Sequence, residues 1–310
     1  MQKRKLLNTR LSIGNYGEFI EEMISLAQNE KSSYVCISNV HMLIEAYRDK
    51  EFSKIVNNAD IATPDGMPLA KSMRFIYGLH QDRVAGMDIM PSIIKEAESK
   101  GMSIYLYGST DDVLELIVAK LKREYPDLIV AGYYAPPFRP LSQKEKDDII
   151  DKINASNPQF VLVALGCPKQ EKWMAENKNK INSCMLGVGG AFSVFAGVQK
   201  RAPKWMQKGS LEWVYRFYQE PQRLWKRYLV TNSLFSVLMI KFSIEHFIRR
   251  SYFNVRKILT LPFKKIKSSI HVIGSSKHHG ALSLLLVADI GDITKDFFTR
   301  DYLTYLYLML

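Results

Sequence analysis

Cysteine is scarce in this 310-residue sequence, and the few that occur form no recognisable motif. The three cysteines, Cys36, Cys167 and Cys184, include no C-x-x-C pair. A small disulfide-stabilised scaffold needs a dense, even-numbered set of cysteines, so that class of protein is excluded. We expect the three thiols to be reduced and to pack as small hydrophobic groups.

Motifs for metal binding are also missing. The sequence has no D-x-D, no H-E-x-x-H and no zinc-type spacing of cysteine and histidine. A site that holds a diphosphate through a carboxylate-bound metal ion therefore lacks its usual ligands. We expect neither a metal ion nor a cofactor. If a diphosphate leaves during a reaction, its charge must then be met by arginine, lysine and helix N-termini.

No long apolar run is free of charged residues. The most apolar stretch, residues 229–248, is interrupted by an asparagine, a lysine, a glutamate and a histidine, whereas a membrane-spanning helix needs ~20 mostly apolar residues. We expect this stretch to lie on a membrane surface rather than to cross the bilayer. Residues 1–17 have a basic tip but no apolar core of signal-peptide length, so we expect the chain to remain in the cytoplasm.

Acidic residues are scarce in one part of the chain. Residues 200–270 contain 16 Lys and Arg but only 3 Asp and Glu, whereas the rest of the chain, with 27 basic and 28 acidic residues, is almost neutral. A concentrated basic segment attracts diphosphates, anionic lipid head groups or nucleic acids. Its basic residues lie among aromatic and aliphatic runs and match no nucleic-acid-binding motif, which favours a lipid surface and predicts no nucleic-acid partner.

Short apolar runs alternate with longer amphipathic segments up to about residue 190. Runs such as FVLVAL are apolar on both faces, as expected for parallel strands covered by helices on each side. We therefore predict an α/β fold with an open, mostly parallel, Rossmann-like sheet, whose ligand site lies at the carboxyl ends of the strands. The predicted strands are 34–39, 60–63, 103–108, 128–134, 160–166 and 184–190. The predicted helices are 41–57, 110–124 and 142–155, with two more that begin near residues 67 and 169.

The alternation stops after about residue 195, where the chain becomes basic and rich in Trp and Tyr. We predict an α/β core over 1–195, a helical appendage over 196–250 and a C-terminal extension of unknown role over 251–310. Pro221 predicts a break between two helices of the appendage.

Asp65 follows a predicted strand in the stretch IATPDGMPLA. Pro-Asp-Gly is typical of a turn, and an Asp before a helix commonly caps its free N–H groups. The same position suits a general base at the carboxyl end of a strand, held by Pro64 and left uncrowded by Gly66 so that a substrate can approach. Residue type and spacing leave both interpretations open.

Two strand-to-helix turns have the pattern of an anion site. YLYGST precedes a predicted helix, whose N-terminal N–H groups favour phosphate, and in ALGCPKQEKWM a Gly-x-Pro loop precedes another. Each pattern is equally typical of a tight turn without a ligand, since proline and acidic residues are favourable at a helix start. The residues that these turns would present are Gly108, Ser109, Gly166, Pro168, Gln170 and Glu171.

Arginines are the remaining candidates for binding a diphosphate. Arg83 and Asp88 lie in a predicted loop, where the arginine either binds phosphate or pairs with a nearby carboxylate. Arg216, Arg223 and Arg227 would lie near one face of a continuous helix. A solvated or lipid-facing basic stripe is the alternative for these three.

Several of these motifs occur together in one known family. PDGMPLA, RVAGMDIM, YLYGS, GYY, LGCPKQEKW and the block from GVGGAFS to RLWKRYL resemble the WecG/TagA/CpsF glycosyltransferases, glycosyltransferase family 26. The similarity runs from about residue 8 to about residue 245, and the long C-terminal block is its most distinctive part.

The resemblance implies an inverting, metal-independent transfer of an N-acetylhexosamine-type sugar, N-acetylmannosamine-like, from a UDP donor to a polyprenyl-diphosphate-linked acceptor. Members of the family make teichoic acid linkage units, enterobacterial common antigen, and capsular or exopolysaccharides. It also implies a peripheral location on the anionic inner face of the cell membrane. The oligomeric state stays open, and a homo-oligomer is compatible with the sequence.

The resemblance also implies roles for individual residues. Asp65 matches the proposed base, and Asn39, Arg83 and Gln170 match its catalytic partners, while Tyr133 in GYY would stack on uracil. The tail arginines match residues that complete the site when the appendage closes over it. The full set of further substrate-binding residues that we predict is Gly66, Asp88, Gly108, Ser109, Gly166, Pro168, Glu171, Ser193, Arg216, Arg223 and Arg227.

Two positions depart from the family pattern. Ile37 stands where the family commonly has Thr, and Ser193 replaces an acidic residue that could hold ribose hydroxyls. The alternative function is therefore a noncatalytic, membrane-associated assembly module that has kept the fold.

Overall fold

The computed structural model describes residues 1–29, 31–208 and 211–259. Most of the predicted extension over 251–310 thus lies outside the described residues. By its internal contacts the chain divides into two compact units, residues 1–231 and 232–310. The β-strands and the candidate site described below lie in the first unit.

A parallel sheet of six strands forms the centre of the first unit. Its strand order is β4-β3-β8-β7-β5-β6, and a separate antiparallel hairpin consists of β1 and β2. All five neighbouring pairs are parallel, so the connections between strands must cross over the sheet, as expected for a Rossmann-like fold. The strands are β1 (Lys3–Leu6), β2 (Thr9–Ser12), β3 (Ser33–Ser38), β4 (Ile61–Pro64), β5 (Ser103–Gly108), β6 (Ile129–Tyr134), β7 (Phe160–Ala164) and β8 (Cys184–Gly187).

Helices cover both faces of this sheet. The described helices are α1 (Tyr16–Gln28), α2 (Val40–Arg48), α3 (Lys50–Asn58), α4 (Met67–Tyr77), α5 (Gly86–Ser99), α6 (Asp111–Glu124), α7 (Gln143–Ala155), α8 (Lys169–Asn177), α9 (Ala191–Phe195), α10 (Lys204–Lys208), α11 (Glu212–Gln219) and α12 (Pro221–Leu259).

The strands bury side chains on both faces, which is why they form apolar runs rather than alternating patterns. Leu106 and Leu162 face α1, α5, α6 and α9 in one core, and every residue of β3 and β5 is buried. On the opposite face Tyr107 stacks on Trp173 of α8 with ring centroids 4.4 Å apart. The predicted α/β class and open parallel sheet are confirmed.

The amino-terminal elements and one helix boundary differ from our predictions. The predicted helix over 41–57 is two helices, because Asp49 ends α2 and caps α3 by accepting hydrogen bonds from the backbone N–H groups of Glu51 and Phe52. The hairpin and α1 were not predicted, although Asn15 and Glu18 form a capping box that marks the start of α1.

Two expectations for the candidate site are also corrected. Asp88 lies in the first turn of α5 rather than in a loop, and only Arg83 precedes that helix. The break at Pro221 is confirmed, since α11 ends at Gln219 and α12 begins at Pro221. Arg216 therefore lies on a different helix from Arg223 and Arg227, and the three do not share one continuous helical face.

Candidate active site at the carboxyl edge of the sheet

The carboxyl ends of the parallel strands meet along one edge of the sheet, and most predicted site residues lie there. Asn39 directly follows β3 and Asp65 directly follows β4. These two strands are hydrogen-bonded neighbours, with Ser38 opposite Pro64 in the register. The turns after β5, β7 and β8 reach the same edge and contain Ser109, Gly166 and Gly189–Gly190.

Backbone hydrogen bonds hold the turn that carries Asp65. Its N–H donates to the Ser38 carbonyl at 2.7 Å, and the N–H of Val84 donates to the Pro64 carbonyl at 3.0 Å. Gly66 follows with a φ of +106°, which side chains rarely tolerate, and then α4 begins without any side-chain cap. The stretch therefore forms a turn, and the Asp65 carboxyl group does not cap α4.

The side chain of Asn39 caps α2. Its Oδ1 accepts a hydrogen bond from the Met42 N–H at 3.1 Å. Because the carbonyl oxygen is used in this way, the amide N–H₂ is the part of Asn39 that can donate to a ligand.

Asp65 is partly buried among charged groups from both the core and the appendage. Burial raises its pKa from an ordinary value of 3.8 to about 7; the Arg83 and Arg216 guanidinium groups lower it, and the Glu212 and Asp88 carboxylates raise it. A carboxyl group with a pKa near neutral at the carboxyl end of a strand has the properties of a general base.

A chain of ion pairs connects these charged groups. Arg83 binds Asp88 at 2.8 Å through Nη2 and binds Glu212 through Nη1. The other Asp88 oxygen binds Arg201 at 2.5 Å. Arg83, Asp88, Arg201 and Glu212 are all largely buried, with side-chain exposures of 16 to 30%. Such pairs hold their members in one geometry far better than exposed pairs do.

Arg216 of α11 reaches the turn after β8. A Cβ atom placed on Gly190 would lie 3.2 Å from the Arg216 Nη2, so the guanidinium rests against the glycine backbone. The same guanidinium lowers the pKa of Asp65. Arg223 and Arg227 lie on α12, and their side chains are outside what the structure describes.

Gln170 and Glu171 lie in the first turn of α8, directly after the turn that follows β7. Gln170 is 5% exposed, and Glu171 is fully buried. We predicted that Glu171 would contact substrate, but it lies on the inner face of the first turn of α8 and donor or acceptor cannot touch it directly. The Gln170 amide binds the backbone of both neighbouring turns, through Gly166 N–H at 3.2 Å and the Gly187 carbonyl at 3.0 Å.

The turn after β5 is the tightest at this edge. Gly108 has a φ of +109°, and a Cβ atom there would lie 2.6 Å from the Ala164 carbonyl oxygen, so only glycine fits. Ser109 is also left-handed, with a φ of +64°. Asp111 and Asp112 lie in the first turn of α6, and their charges oppose an anion at this helix start.

Tyr133 lies at the far end of the sheet from the Asp65 turn. Tyr133 is 42% exposed on β6, the edge strand that four other strands separate from β4. A ligand that contacts both Tyr133 and Asp65 must therefore extend along most of the carboxyl edge. Ser193 is partly buried within the short helix α9.

Glu212 and Arg201 were absent from our predicted site. The signal for Glu212 was present, since acidic residues are rare in the basic segment and this one precedes Trp213 and Arg216 in the block that resembles the family. Only the folded chain shows that both residues pair with the core residues Arg83 and Asp88.

The described residues contain neither a metal-binding cluster nor a helix that could cross a membrane. No group of three or more His, Cys, Asp and Glu side chains in that part of the chain could hold a metal ion. Within the same residues, no helix has both the length and the apolarity that crossing a bilayer requires.

Comparisons with known proteins agree with the motifs. The profile described as "Glycosyl transferase WecG/TagA/CpsF family" matches residues 4–247. An N-acetylglucosaminyldiphosphoundecaprenol N-acetyl-beta-D-mannosaminyltransferase of Bacillus subtilis (strain 168) is 31% identical over 231 residues, 74% of this chain and 88% of the relative. The enzyme of the same name from Bacillus spizizenii is 32% identical over 67% of this chain and 79% of its own length. The enzyme of the same name from Staphylococcus aureus (strain MW2) is 27% identical over 64% of this chain and 76% of its own length.

Proposed function

This chain belongs to the glycosyl transferase WecG/TagA/CpsF family, and from that membership we propose which sugar it transfers and how. The proposed reaction moves an N-acetylmannosamine-like sugar from a UDP donor to a polyprenyl-diphosphate-linked N-acetylglucosamine acceptor, with inversion at the anomeric carbon and without a metal ion. The names of the Bacillus and Staphylococcus relatives support the sugar and the acceptor. The product would enter teichoic acid or another cell-surface polysaccharide.

The observation that carries this proposal is the environment of Asp65. Its carboxyl group directly follows β4, has a pKa of about 7 because of burial, and lies in the field of the Arg83 and Arg216 guanidinium groups. A single displacement with inversion needs a base for the attacking hydroxyl group and positive charge for the leaving group on the opposite face of the sugar, and we propose Asp65 and the arginines for these two roles.

Asp65 acts on the acceptor in the proposed step. It accepts the proton of the attacking hydroxyl group while that oxygen forms a bond to the anomeric carbon from the face opposite UDP. The bond from the anomeric carbon to the diphosphate oxygen breaks, and UDP leaves with the electron pair. The Asn39 amide is placed to orient the acceptor or donor sugar by donating a hydrogen bond.

Arginines stabilise the charge that grows on the leaving diphosphate. In the free protein Arg83 is already paired with Asp88 and Glu212. A diphosphate binds guanidinium in the same bidentate manner as a carboxylate does, so we propose that the donor displaces Glu212 from Arg83. Arg216 then provides a second positive charge, and removal of such a donor typically costs ~3 to 4 kcal/mol of activation free energy.

The appendage is also suited to a lipid surface, as the lipid-linked acceptor requires. Trp205 is 66% exposed, Tyr218 83% and Trp225 54%, and they lie in the basic segment. Exposed tryptophan and tyrosine suit the head-group region, and each basic residue near an anionic surface contributes ~1 kcal/mol. We propose that this segment docks the protein on the anionic inner face of the cell membrane.

A transfer assay tests the reaction. UDP-N-acetylhexosamines are screened with a polyprenyl-diphosphate-N-acetylglucosamine acceptor, with and without excess EDTA. We expect transfer from UDP-N-acetylmannosamine that EDTA does not reduce. Loss of activity in EDTA with rescue by Mg²⁺ or Mn²⁺ would contradict the arginine mechanism. Absence of transfer from every donor would favour the noncatalytic assembly module instead.

A further inference from the structure

We propose that Glu171 is a positioning residue, whose carboxyl group holds the Gln170 side chain as a bridge between the turns after β7 and β8. The inference deepens the proposed transfer reaction and rests on it for its activity measurements. It assigns to Gln170 the role of a support beneath the site, and to Glu171 the role of fixing that support.

The hydrogen bonds of Gln170 are nearly all satisfied within the protein. Its Nε2 has two hydrogens, which it donates to Glu171 Oε1 at 2.7 Å and to the Gly187 carbonyl at 3.0 Å. Its Oε1 accepts from the Gly166 N–H at 3.2 Å. An amide with both hydrogens donated to protein groups has none left for a substrate.

Glycines at the end of β8 leave room for the Gln170 amide. A Cβ atom on Gly187 would lie 3.0 Å from Gln170 Nε2, and one on Gly189 would lie 3.2 Å from Gln170 Oε1. The next residue is Gly190, on whose backbone the Arg216 guanidinium rests. A shift of Gln170 would thus move the turn that supports Arg216.

Glu171 lacks a charged partner that would keep it ionised. Its side chain is fully buried, and its Oε2 has no hydrogen-bond partner among the described residues. Burial raises the pKa of Glu171 from an ordinary value of 4.5 to about 7. Hydrogen bonds from Gln170, from the Glu171 backbone N–H and from the Cys167 thiol lower this pKa, but their effect is smaller.

The titratable groups that face Glu171 carry no positive charge. Cys36 on β3 is completely buried, and burial raises the pKa of its thiol well above the ordinary range, so it is neutral. Cys167 precedes α8, and the adjacent Lys172 is paired with Asp49 at the start of α3. At pH below about 7 Glu171 is therefore protonated, and its Oε1 still accepts the Gln170 hydrogen bond. Above that pH it becomes a buried anion, which favours opening of the turn to water.

Two substitutions separate this role from simple packing. Glu171→Met keeps most of the volume but leaves a Gln170 N–H without an acceptor, whereas Glu171→Gln keeps a carbonyl acceptor and cannot ionise. We expect Glu171→Met to lower kcat/KM about tenfold or more, in line with other residues that orient a site from behind. Glu171→Gln should restore most of that loss at pH 6.5. Above pH 7 its kcat/KM should exceed that of the wild type, in which ionised Glu171 opposes the rise in activity that Asp65 produces.

Two measurements do not depend on catalysis. The infrared band of a protonated carboxylic acid at pH 6 should be weaker in Glu171→Gln than in the wild type. The folded protein binds this proton more tightly than the unfolded chain, so the Glu171 contribution to stability falls between pH 4.5 and about 7. The Tm advantage of Glu171→Gln over the wild type should therefore grow across that range.

These outcomes decide the inference even if no sugar is transferred. A wild type without transferase activity would overturn the proposed function, while the infrared band and the Tm difference would still test Glu171. An unchanged band together with a Tm difference that does not vary with pH would refute the inference. So would equal activity losses in Glu171→Gln and Glu171→Met at pH 6.5.

Discussion

Arg83 and Glu212 form an ion pair between positions 129 residues apart in the sequence. The pair joins the loop before α5 to the start of α11, and both side chains are largely buried. The same Glu212 carboxylate raises the pKa of Asp65, whereas Arg83 lowers it. One ion pair therefore links the proposed base to the proposed diphosphate site. A donor that displaces Glu212 would change both the pKa of Asp65 and the partner of Arg83.

The pH dependence of kcat/KM should report this link. Asp65 must be ionised to accept a proton, so activity should rise with pH through about 7 in the wild type. Glu212→Gln removes a negative charge and should move this rise to lower pH, whereas Arg216→Gln should move it to higher pH. The midpoint is measured for both variants with the wild type alongside. Shifts of the same sign in the two variants would contradict the arrangement.

Replacement of Asp65 should separate activity from stability. Asp65→Asn should lower kcat by about 10²–10⁴-fold, the usual contribution of a general base, and keep the affinity for UDP-sugar. Because the pKa of Asp65 is raised from 3.8 to about 7, its ionisation destabilises the folded state as pH rises through that interval. Asp65→Asn should therefore have a higher Tm than the wild type at pH 8 and nearly the same Tm at pH 4. Calorimetric titration with the donor and scanning at both pH values test this, and full turnover would remove Asp65 from its role.

The contact between Gly190 and Arg216 should be sensitive to a single methyl group. A Cβ at Gly190 lies 3.2 Å from Arg216 Nη2, which is closer than ordinary van der Waals contact. Gly190→Ala should displace the guanidinium and lower kcat by about tenfold, equivalent to ~1.4 kcal/mol. In an Arg216→Gln background the same substitution should have a much smaller effect. A double-mutant cycle measures this coupling, and additive losses would show that Gly190 acts without Arg216.

Binding to anionic vesicles should depend on the exposed tryptophans of the appendage. Trp205→Ser with Trp225→Ser should weaken co-sedimentation with phosphatidylglycerol vesicles, and high salt should weaken it in the wild type. Phe138 is 90% exposed in the loop between β6 and α7 and offers a matched control. Phe138→Ser should leave vesicle binding unchanged. Equal losses in both proteins would argue against docking through the appendage.

Some features of this protein follow from local sequence patterns. Apolar runs such as that of β7 are buried on both faces wherever they occur in a parallel sheet, so strand positions and the fold class were predictable. The position of Asp65 at a strand end and the break at Pro221 follow from equally local rules for turns and proline.

Other local elements were missed, one because its signal is weak and one although its signal is clear. The hairpin of β1 and β2 is short and charged, so its apolar pattern is weak. In contrast, the Asp49 cap that divides residues 41–57 into two helices is a recognisable sequence feature.

Only the tertiary structure decided how the chemical groups meet. Three features depend on crossovers and helix packing that no short stretch encodes. They are the pairing of Arg83 with Glu212, the approach of Arg216 to Gly190 and the burial of Glu171. The sequence by itself determined which elements form and which residues end each strand, because backbone conformation and burial pattern are set by near neighbours. Ion pairs and pKa values were decided by the fold, because they depend on distances and desolvation between residues far apart in the chain.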